Sequence, residues 1–579
     1  MIVGQALALE REYSKDPVGI FQRKPLFGIP FSVKDNYDIA GYPTTAGCPK
    51  FAFTPWKTSF AIQKIIDAGA ILVGRANMDQ FATGLVGVRS PYGIPVNPFN
   101  PNYCPGGSSS GSGVAVSTGL CSFSIGTDTA GSGRIPASFT NIVGLKPTPG
   151  LISTGGMFPA CRSLDCFSIF GLSVDDAWKV LNIAKGFDPE DEYSKPEPNH
   201  WHVEANLPKN RKPRFGIPKG AGLAFFGDTN GAKELYFSAI KKLEALTGAE
   251  IVEIDFTPFT EVARILYEGP WTAQRLSALK DFFARTEGSD AVLPVTRGII
   301  SKGADFSAVD LFIAERRLEH LRRVAQTVWK NADIDVLVTP TASITPTIAE
   351  VHALPVGINT VLGYYTNYVN LLNLSALAVP NGFLPSGMPT GITLVGQAWQ
   401  DRALAVLGRQ FQIANDLPLG ATPFKLAPSK DFEPVARPSV PSGEKLPMVV
   451  VGAHLSGMPL NTQLTDLGAS LASATKTAPK YKLFDVSKSA KEIPRPGLVN
   501  VGDDQPGQSY EVEVWNIPAE LYGKFLDNVK PPLAIGNVTL ADGSVVKGFV
   551  CEAYGVQGAK DISEFSGWRS YISSKAKKN

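Results

Sequence analysis

The segment from Cys104 to Ala137 combines residue types that could perform nucleophilic chemistry. It contains two turns rich in glycine and serine, Gly106–Gly113 and Ala130–Gly133, each next to an apolar stretch. Glycine-permissive backbone beside buried elements can direct hydroxyl and backbone N–H groups toward one point. Two polar loops on an ordinary α/β domain are the alternative interpretation. The presence of both turns, with a lysine in a suitable context upstream, favours a serine-based active site.

Lys34 is the lysine that could activate such a serine. It ends the strand-like run Gly28–Lys34 and follows the apolar residues Phe31 and Val33, so it does not lie on a charged, solvated face. A serine hydroxyl is a poor nucleophile unless a nearby base removes its proton. A lysine can act as that base only when neutral, and burial lowers its usual pKa of about 10.4 because it penalises the charged form. Lys34 is therefore either a desolvated base or a structural cation.

The polar turns need regular elements to hold them, and the chain alternates helix-like and strand-like patterns around them. Apolar residues recur at helical intervals in Ser59–Ile66 and Glu234–Leu246. Short apolar runs typical of strands follow these segments at Ile71–Val73 and Ile251–Ile254, and another occurs at Asp335–Pro340. This alternation predicts an α/β fold in which helices cover a mixed β-sheet.

Proline marks a change of composition late in the chain. Six prolines, interleaved with charged residues and serine, fall between Pro423 and Pro447, which is typical of an extended linker. New strand patterns follow at Met448–Val451, Glu511–Trp515 and Val546–Glu552. We therefore predict a catalytic domain over residues 1–424, a linker over 425–447 and a smaller α+β domain over 448–579.

The composition excludes several classes of protein. Lys and Arg number 55 against 53 Asp and Glu, so the chain has no broad basic field for nucleic acid. No run approaches the ~18 apolar residues of a membrane span. Six cysteines do not form a disulfide framework in 579 residues, and Cys161 and Cys166, five positions apart, lack the spacing of a metal site. These features predict a reduced, cytoplasmic protein without a metal or other cofactor.

The first residues, MIVGQALALEREY, introduce charge too early for a signal peptide. Their mixture of apolar and charged residues is typical of the middle of an amphipathic helix. We therefore expect the sequence to begin inside a longer polypeptide.

Three motifs in the first predicted domain resemble those of one enzyme family. The segments GIPFSVKDN, PGGSSSGSG and TDTAGSGRIPA occur in this order and resemble the amidase signature family of serine hydrolases, over roughly residues 4–423. The resemblance implies a Ser–Ser–Lys triad in which Ser132 is the nucleophile, Ser108 the bridging serine and Lys34 the base.

The same resemblance assigns supporting features around the bridging serine. Ser109, Ser110 and Ser112 compete with Ser108 for the bridging position, and we select Ser108 because it is the first serine after the glycine pair. We expect Ser109 to be a hydrogen-bonding neighbour. The family also implies a cis peptide bond between Gly107 and Ser108.

The loop that carries the nucleophile has its own expected roles. Thr129–Gly131 should supply the backbone N–H groups of an oxyanion hole, and Arg134 should brace the loop through Asp128. Many family members have Gly-Gly before the nucleophile, where this chain has Ala130-Gly131, and an aliphatic residue after it, where this chain has Gly133. In these departures the chain resembles the allophanate hydrolases within the family.

Segments of the second predicted domain also resemble the allophanate hydrolases. They are Gly452–Asn461, Glu513–Pro518, Gly548–Glu552 and Gly567–Arg569. The C-terminal domain of those enzymes is similar to gamma-glutamylcyclotransferase-like folds, in which a loop after the first strand and an acidic residue face a small cavity. The resemblance implies His454 as a candidate catalytic residue and Glu552 as the acidic residue. A hydrogen-bonded histidine at a strand end is the alternative for His454.

The resemblance implies hydrolysis of allophanate, a small amide that carries a carboxylate, to ammonia and carbon dioxide. Tyr267 and Arg275 match the positions at which related hydrolases hold the substrate. In fungi the enzyme is fused to a biotin-dependent urea carboxylase, and this chain is similar to the hydrolase half only. A general amidase for another short amide and a non-catalytic subunit that positions partners are the alternatives. A homodimer is one candidate assembly.

Overall fold

The computed structural model describes residues 2–198, 207–208, 211–226, 231–426, 445–487, 493–502 and 505–576. The chain divides into two units, Met1–Pro434 and Val435–Asn579. Most of the linker that we predict over 425–447 lies outside the described residues, at 427–444.

Among the described residues, ten strands of the first unit form one mixed sheet. They are β1 (Pro30–Lys34), β2 (Ile71–Ala76), β3 (Phe123–Asp128), β4 (Val143–Lys146), β5 (Cys166–Gly171), β6 (Arg214–Pro218), β7 (Glu250–Ile254), β8 (Val336–Pro340), β9 (Ser375–Phe383) and β10 (Pro389–Gly396). Their order across the sheet is β2-β1-β3-β5-β4-β9-β10-β8-β6-β7. β1 pairs in parallel with β2 and β3, and β6 pairs in parallel with β7 and β8, whereas the central pairs are antiparallel.

Helices cover this sheet. They are α1 (Ile2–Lys15), α2 (Ile20–Arg23), α3 (Phe60–Asp67), α4 (Ser110–Ser117), α5 (Ile135–Phe139), α6 (Val174–Ala184), α7 (Ala232–Thr247), α8 (Thr257–Glu268), α9 (Trp271–Ser277), α10 (Lys280–Arg285), α11 (Pro294–Ser301), α12 (Ala308–Asn331), α13 (Ile348–Ala353), α14 (Pro355–Leu362), α15 (Asn367–Leu371) and α16 (Asp401–Asn415). Every residue of β3, β4, β5 and β8 is buried. Successive side chains of a strand point to opposite faces, so both faces of the sheet centre are covered. The predicted α/β fold class is confirmed.

The predicted helices and strands lie close to the observed ones because local signals define their ends. Helix α7 ends at Thr247, where Gly248 adopts a left-handed φ of 65°. A glycine accepts this conformation without a Cβ clash, so it stops the helix cleanly.

The parallel pairing of β1 with β3 explains how distant motifs meet. Phe31 pairs with Phe123 and Val33 pairs with Ile125. The carboxyl ends of parallel strands lie at the same edge of a sheet, so Lys34 and the loop that follows Asp128 emerge side by side. The segment before α4 then needs only to cross this edge to complete a site.

The second unit contains two smaller sheets. Its elements are β11 (Lys445–Val450), α17 (Thr462–Thr465), β12 (Ser470–Lys476), β13 (Tyr481–Asp485), β14 (Pro496–Asn500), β15 (Glu511–Pro518), α18 (Ala519–Leu526), β16 (Leu533–Thr539), β17 (Val545–Cys551), β18 (Lys560–Asp561) and α19 (Trp568–Ala576). Among the described residues, five strands pair in the order β12-β15-β11-β17-β16 and three in the order β14-β13-β18. A separate apolar cluster that includes Met448, Val512 and Trp568 forms its core. The more specific likeness to gamma-glutamylcyclotransferase-like folds stays a prediction.

Two features of the described residues bear on the classes of protein considered above. None of the helices found there has the length and apolar character to cross a membrane. In the same part of the chain, no group of three or more His, Cys, Asp or Glu side chains is arranged to hold a metal ion.

We predict that the fragment 445–579 folds alone, because its apolar core contains only residues of the second unit. The fragment should show one cooperative transition in thermal unfolding followed by circular dichroism. A fragment that starts at residue 460 lacks β11, which lies between β15 and β17 and whose residues Met448–Val450 are fully buried. This shorter fragment is the control and should not unfold cooperatively. Absence of a cooperative transition in 445–579 would contradict an independent second unit.

Candidate active site

Lys34, Ser108 and Ser132 form a continuous chain of hydrogen bonds. Lys34 Nζ donates to Ser108 Oγ over 2.7 Å, and Ser108 Oγ donates to Ser132 Oγ over 2.9 Å. The exposed fractions of the three residues are 0%, 0% and 2%. The fold therefore brings together the three residues that the sequence motifs single out, in the order required for proton transfer between the lysine and Ser132.

The geometry also separates the four serines that compete for the bridging position. Ser109 Oγ accepts from Lys34 Nζ over 3.0 Å and donates to the carbonyl oxygen of Thr127 over 3.2 Å. Ser110 Oγ donates to the backbone carbonyl oxygen of Asn77, and Ser112 Oγ donates to that of Ile125. Of these four serines, Ser108 is the one that contacts both Lys34 and Ser132. The peptide bond before it is cis, as the resemblance implies.

Thr127 is a contact of Lys34 that the sequence motifs do not reveal. Lys34 Nζ donates to Thr127 Oγ1 over 2.6 Å. Thr127 lies near the end of β3, two residues beyond Ile125, which pairs with Val33 of β1. This register places the threonine hydroxyl beside the lysine, and no local pattern in the sequence specifies a register between two distant strands.

Burial controls the protonation of Lys34. It lowers the pKa of this lysine from 10.5 to about 7, because the charged form loses its hydration. The negative charges of Asp79, Asp165 and Asp128 oppose the fall, and the positive charge of Arg275 reinforces it. A substantial fraction of Lys34 is therefore neutral near pH 7 and able to accept a proton.

The Asp128 side chain organises the loop that carries Ser132. Its Oδ1 and Oδ2 atoms accept from the backbone N–H groups of Gly131 and Gly133 over 2.8 and 3.1 Å. Arg134 donates to the same carboxylate from Nε over 2.8 Å and from Nη2 over 2.9 Å, and both side chains are fully buried. Removing one partner of such a pair leaves an uncompensated buried charge and costs about 3–5 kcal/mol. Arg134 thus braces the loop as expected.

One of the expected oxyanion donors is engaged elsewhere. The backbone N–H of Gly131 donates to Asp128, so it does not point at a carbonyl group near Ser132, which corrects the expectation from the sequence. Thr129 Oγ1 donates to Asp165. Among the described residues, the backbone N–H groups of Thr129, Ala130 and Ser132 have no hydrogen-bond partner, and they are the donors left to stabilise an oxyanion.

Tyr267 and Arg275 contact each other, as their proposed common role requires. The Arg275 guanidinium lies 5.4 Å from the centroid of the Tyr267 ring. Arg275 is only 2% exposed, donates to Thr83 Oγ1 over 3.3 Å and leaves its Nε without a hydrogen-bond partner. No carboxylate among the described residues forms an ion pair with it. A buried cation without an anion is costly, so this site is suited to a negatively charged ligand.

His454 lies in the second unit beside a cavity of about 340 Å³. Its Nε2 shares a hydrogen bond of 2.9 Å with Gln463 Oε1, and its ring stacks on Phe549 with centroids 5.2 Å apart. Burial lowers the pKa of His454, and the hydrogen bond to Gln463 opposes this change. The cavity lining also contains Arg495 and Lys530, and none of the described residues in the lining carries a carboxylate.

The sequence analysis expects Glu552 to face this cavity, and the structure contradicts this expectation. Glu552 is exposed and outside the cavity lining, because the chain turns away after β17 and its N–H donates to the carbonyl oxygen of Pro532. A different acid, Glu513, is buried near the His454 loop, but it does not belong to the described cavity lining either. It accepts from the N–H and Oγ of Ser456 over 2.8 and 3.0 Å and from Arg569 Nη2 over 2.8 Å, and so fixes the loop that follows His454.

The fold and the buried Lys–Ser–Ser chain define a serine-type amide hydrolase. A family model described as Amidase matches residues 1–405. A second model, described as Allophanate hydrolase C-terminal domain, matches residues 446–573. The chain belongs to the amidase family.

Comparison with individual proteins narrows the relationship. The chain is 43% identical over 561 residues to urea amidolyase of Lachancea kluyveri and 41% identical over 566 residues to urea amidolyase of Saccharomyces cerevisiae. These alignments cover 95% and 96% of this chain, but the chain spans only 30% of the length of either relative. A crystal structure of Kluyveromyces lactis allophanate hydrolase matches with a TM-score of 0.73 and 40% identity, over 95% of this chain and 89% of that one.

Proposed function

We propose that this chain hydrolyses allophanate to ammonia and carbon dioxide in urea degradation, with Ser132 as nucleophile, Ser108 as bridge and Lys34 as base. The observation that carries the proposal is the buried hydrogen-bond chain from Lys34 through Ser108 to Ser132. The cation Arg275, which forms no ion pair with a carboxylate of the described residues, lies close enough for its charge to act on Lys34. A nucleophile, a base and a site for a substrate carboxylate are the components that allophanate requires.

The first chemical step follows from the order of the hydrogen bonds. Ser132 Oγ bonds to the carbonyl carbon of the terminal amide, its proton passes to Ser108, and the proton of Ser108 passes to a neutral Lys34. The backbone N–H groups of Thr129, Ala130 and Ser132 stabilise the negative oxygen that forms. Lys34 returns its proton along the same path, so the leaving nitrogen departs as ammonia and an acyl group remains on Ser132. Water then attacks this acyl group and releases a dicarboxylated nitrogen.

Arg275 and Tyr267 are proposed to bind the carboxylate of allophanate. A guanidinium offers two parallel N–H donors to a carboxylate, and the buried Arg275 has an Nε that no group of the described residues accepts from. The Tyr267 ring packs against the guanidinium and restricts its orientation. A substrate that brings a negative charge next to this cation gains an interaction that neutral amides lack.

The second unit is proposed to assist loss of carbon dioxide from the first product. Its cavity is lined by His454, Arg495 and Lys530, which suits a dicarboxylate. Protonation of the nitrogen or of the departing carbamate promotes decarboxylation, and an imidazole transfers protons readily near neutral pH. The hydrogen bond between His454 and Gln463 orients the imidazole ring for such a proton transfer.

Two alternatives stay open to experiment. A general amidase for another short amide would need neither the Arg275 site nor the second unit. A non-catalytic subunit would need no intact triad. The match of residues 446–573 to a domain named for allophanate hydrolases favours allophanate over both. We further propose that the chain works with a biotin-dependent urea carboxylase that supplies its substrate.

The triad is tested by substitution of its nucleophile. Ser132→Ala should leave a folded chain whose ammonia release from allophanate is lowered by about 10⁴-fold or more, because covalent catalysis is lost. Ser110→Ala is the matched control, because Ser110 lies in the same turn as Ser108 and makes only a 3.5 Å hydrogen bond to Asn77. Its rate should stay near that of the wild type. Near-normal turnover in Ser132→Ala would refute the assignment of the nucleophile.

The base is tested in the same assay. Lys34→Arg should not restore activity, because an arginine stays protonated. The pKa of about 7 for Lys34 predicts that the wild-type rate rises as the pH passes upward through this value, since only the neutral lysine accepts a proton. An active Lys34→Arg variant would show that Lys34 is a structural cation.

Arg275→Lys tests recognition of the carboxylate. The variant keeps the positive charge and loses the paired donors, so KM for allophanate should rise about tenfold or more while kcat changes less. Acetamide, which lacks a carboxylate, should be hydrolysed slowly by the wild type and no more slowly by the variant. Arg285→Lys, at an exposed position in α10, is the control. Equal losses on allophanate and acetamide would indicate a folding defect and not a lost carboxylate contact.

His454→Ala tests the second unit. Under single-turnover conditions the variant should release the first ammonia at the wild-type rate and carbon dioxide more slowly, because the proton donor of the later step is gone. Rapid-quench and stopped-flow assays separate this step from the unaided decay of carbamates. His352→Ala, an exposed histidine of the first unit, should change neither product. If the truncated chain 1–425 forms both products at the full rate, the second unit has no catalytic role.

A further inference from the structure

Asp79 is a buried carboxylate that contacts the segment carrying Ser108 and has no role in the steps above. Its exposed fraction is 0%. Its backbone N–H donates to the carbonyl oxygen of Ser108 over 3.0 Å. Its Oδ2 and Oδ1 atoms accept from the backbone N–H groups of Gly87 and Arg89 over 2.9 and 2.8 Å. One residue therefore ties the bridging serine to a neighbouring loop.

The side chain of Asp79 also fills the space beside Gly107. A Cβ atom placed on Gly107 would lie 2.0 Å from Asp79 Oδ2 and 2.5 Å from the backbone nitrogen of Gly87. The carboxylate thus packs directly on the residue before Ser108. A longer or differently shaped side chain at position 79 would displace this backbone, and Ser108 Oγ would move away from Lys34 or Ser132.

Charge is the second link between Asp79 and the triad. Burial raises the pKa of Asp79, and the Arg89 cation opposes this change. Two backbone N–H donors and Arg89 favour the ionised carboxylate. Lys34 faces the carboxylates of Asp79, Asp165 and Asp128 and the cation Arg275, and Asp79 is the strongest of these charges at the lysine. Asp128 is paired with Arg134, which compensates its charge. The charge of Asp79 therefore acts more strongly on Lys34 than the charge of Asp128 does.

We propose that Asp79 is a positioning residue for the proton relay: it holds Ser108 between Lys34 and Ser132 and supplies the negative charge that balances a protonated Lys34. This role rests on the proposed function of the triad, but not on the identity of the substrate. Asp79 forms hydrogen bonds with Ser108, Gly87 and Arg89, and in the described part of the chain none of its hydrogen bonds goes to Ser132, so Asp79 acts through Ser108 and Lys34.

An alkyl fluorophosphonate tests the proposal without a natural substrate. In this reaction Ser132 Oγ forms a bond to phosphorus, the P–F bond breaks, fluoride leaves, and the hydroxyl proton passes through Ser108 to Lys34. Intact-mass spectrometry of the full chain measures the rate of labelling at each pH, with Ser132→Ala as the unlabelled reference. If allophanate proves to be the wrong substrate, this readout is unaffected. If the wild type is not labelled at Ser132, the proposed triad itself fails.

Two substitutions of Asp79 separate charge from geometry. Asp79→Asn removes the negative charge, so the midpoint of the pH dependence of labelling should fall by about one pH unit, since a protonated Lys34 is less favoured. Asp79→Glu keeps the charge, so the midpoint should stay, but the displaced Ser108 should slow labelling by about 100-fold. A purely structural role would not produce this combination, in which the midpoint shifts in Asp79→Asn and stays unchanged in Asp79→Glu.

Asp401→Asn is the matched control. Asp401 is also buried and also accepts a backbone N–H, that of Thr148 over 2.8 Å, but it is not among the charges that act most strongly on Lys34. Its variant should keep the wild-type midpoint. An unchanged midpoint in a folded Asp79→Asn, or wild-type labelling by Asp79→Glu, would overturn the proposal. Failure of both Asp79 variants to fold would also overturn it, because Asp79 would then be a folding determinant.

Discussion

The burial of the Lys34 amino group among hydroxyl groups is the constraint on which the site depends. Its acceptors are Ser108, Ser109 and Thr127, and no carboxylate in the described residues forms an ion pair with it. A carboxylate in direct contact would keep the lysine charged, and open water would do the same. Burial lowers the pKa of Lys34 to about 7, and the hydroxyl groups satisfy its hydrogen bonds without a full opposite charge that would reverse this effect. The fold must therefore bury Lys34 and keep the surrounding carboxylates out of direct contact with its amino group.

Buried carboxylates around Lys34 also shape the loops of the site. Asp128 accepts from backbone N–H groups of the nucleophile loop, and Asp165 accepts from those of Ala160 and Cys161. Asp79 does the same for the loop that contains Gly87. Loops without regular hydrogen bonding gain a defined geometry in this way, because each charged acceptor binds several backbone donors. The same groups provide the electrostatic environment of the lysine, so the shape of the site and its acid–base properties are coupled.

The second unit uses a similar device at a different site. Glu513 accepts from the backbone and side chain of Ser456, two residues after His454, and Arg569 compensates its charge. The loop beside the cavity is thus fixed by a buried carboxylate, as the loops of the first unit are. The two units have separate apolar cores, so this similarity reflects a common physical solution: a polar loop next to a core needs its backbone donors satisfied.

The sequence by itself determined the alternation of helices and strands, the end of α7 at Gly248 and the three motifs of the triad, because these depend on local spacing and backbone freedom. The motif also singled out Ser108 among four serines, and the structure agrees. Only the tertiary structure placed Thr127 and Asp79 beside the triad and engaged the Gly131 N–H with Asp128. It also left Glu552 exposed outside the cavity lining, and it buried Glu513 against the loop that follows His454. These contacts join segments far apart in the chain, and strand register and side-chain packing decide them, not any local pattern.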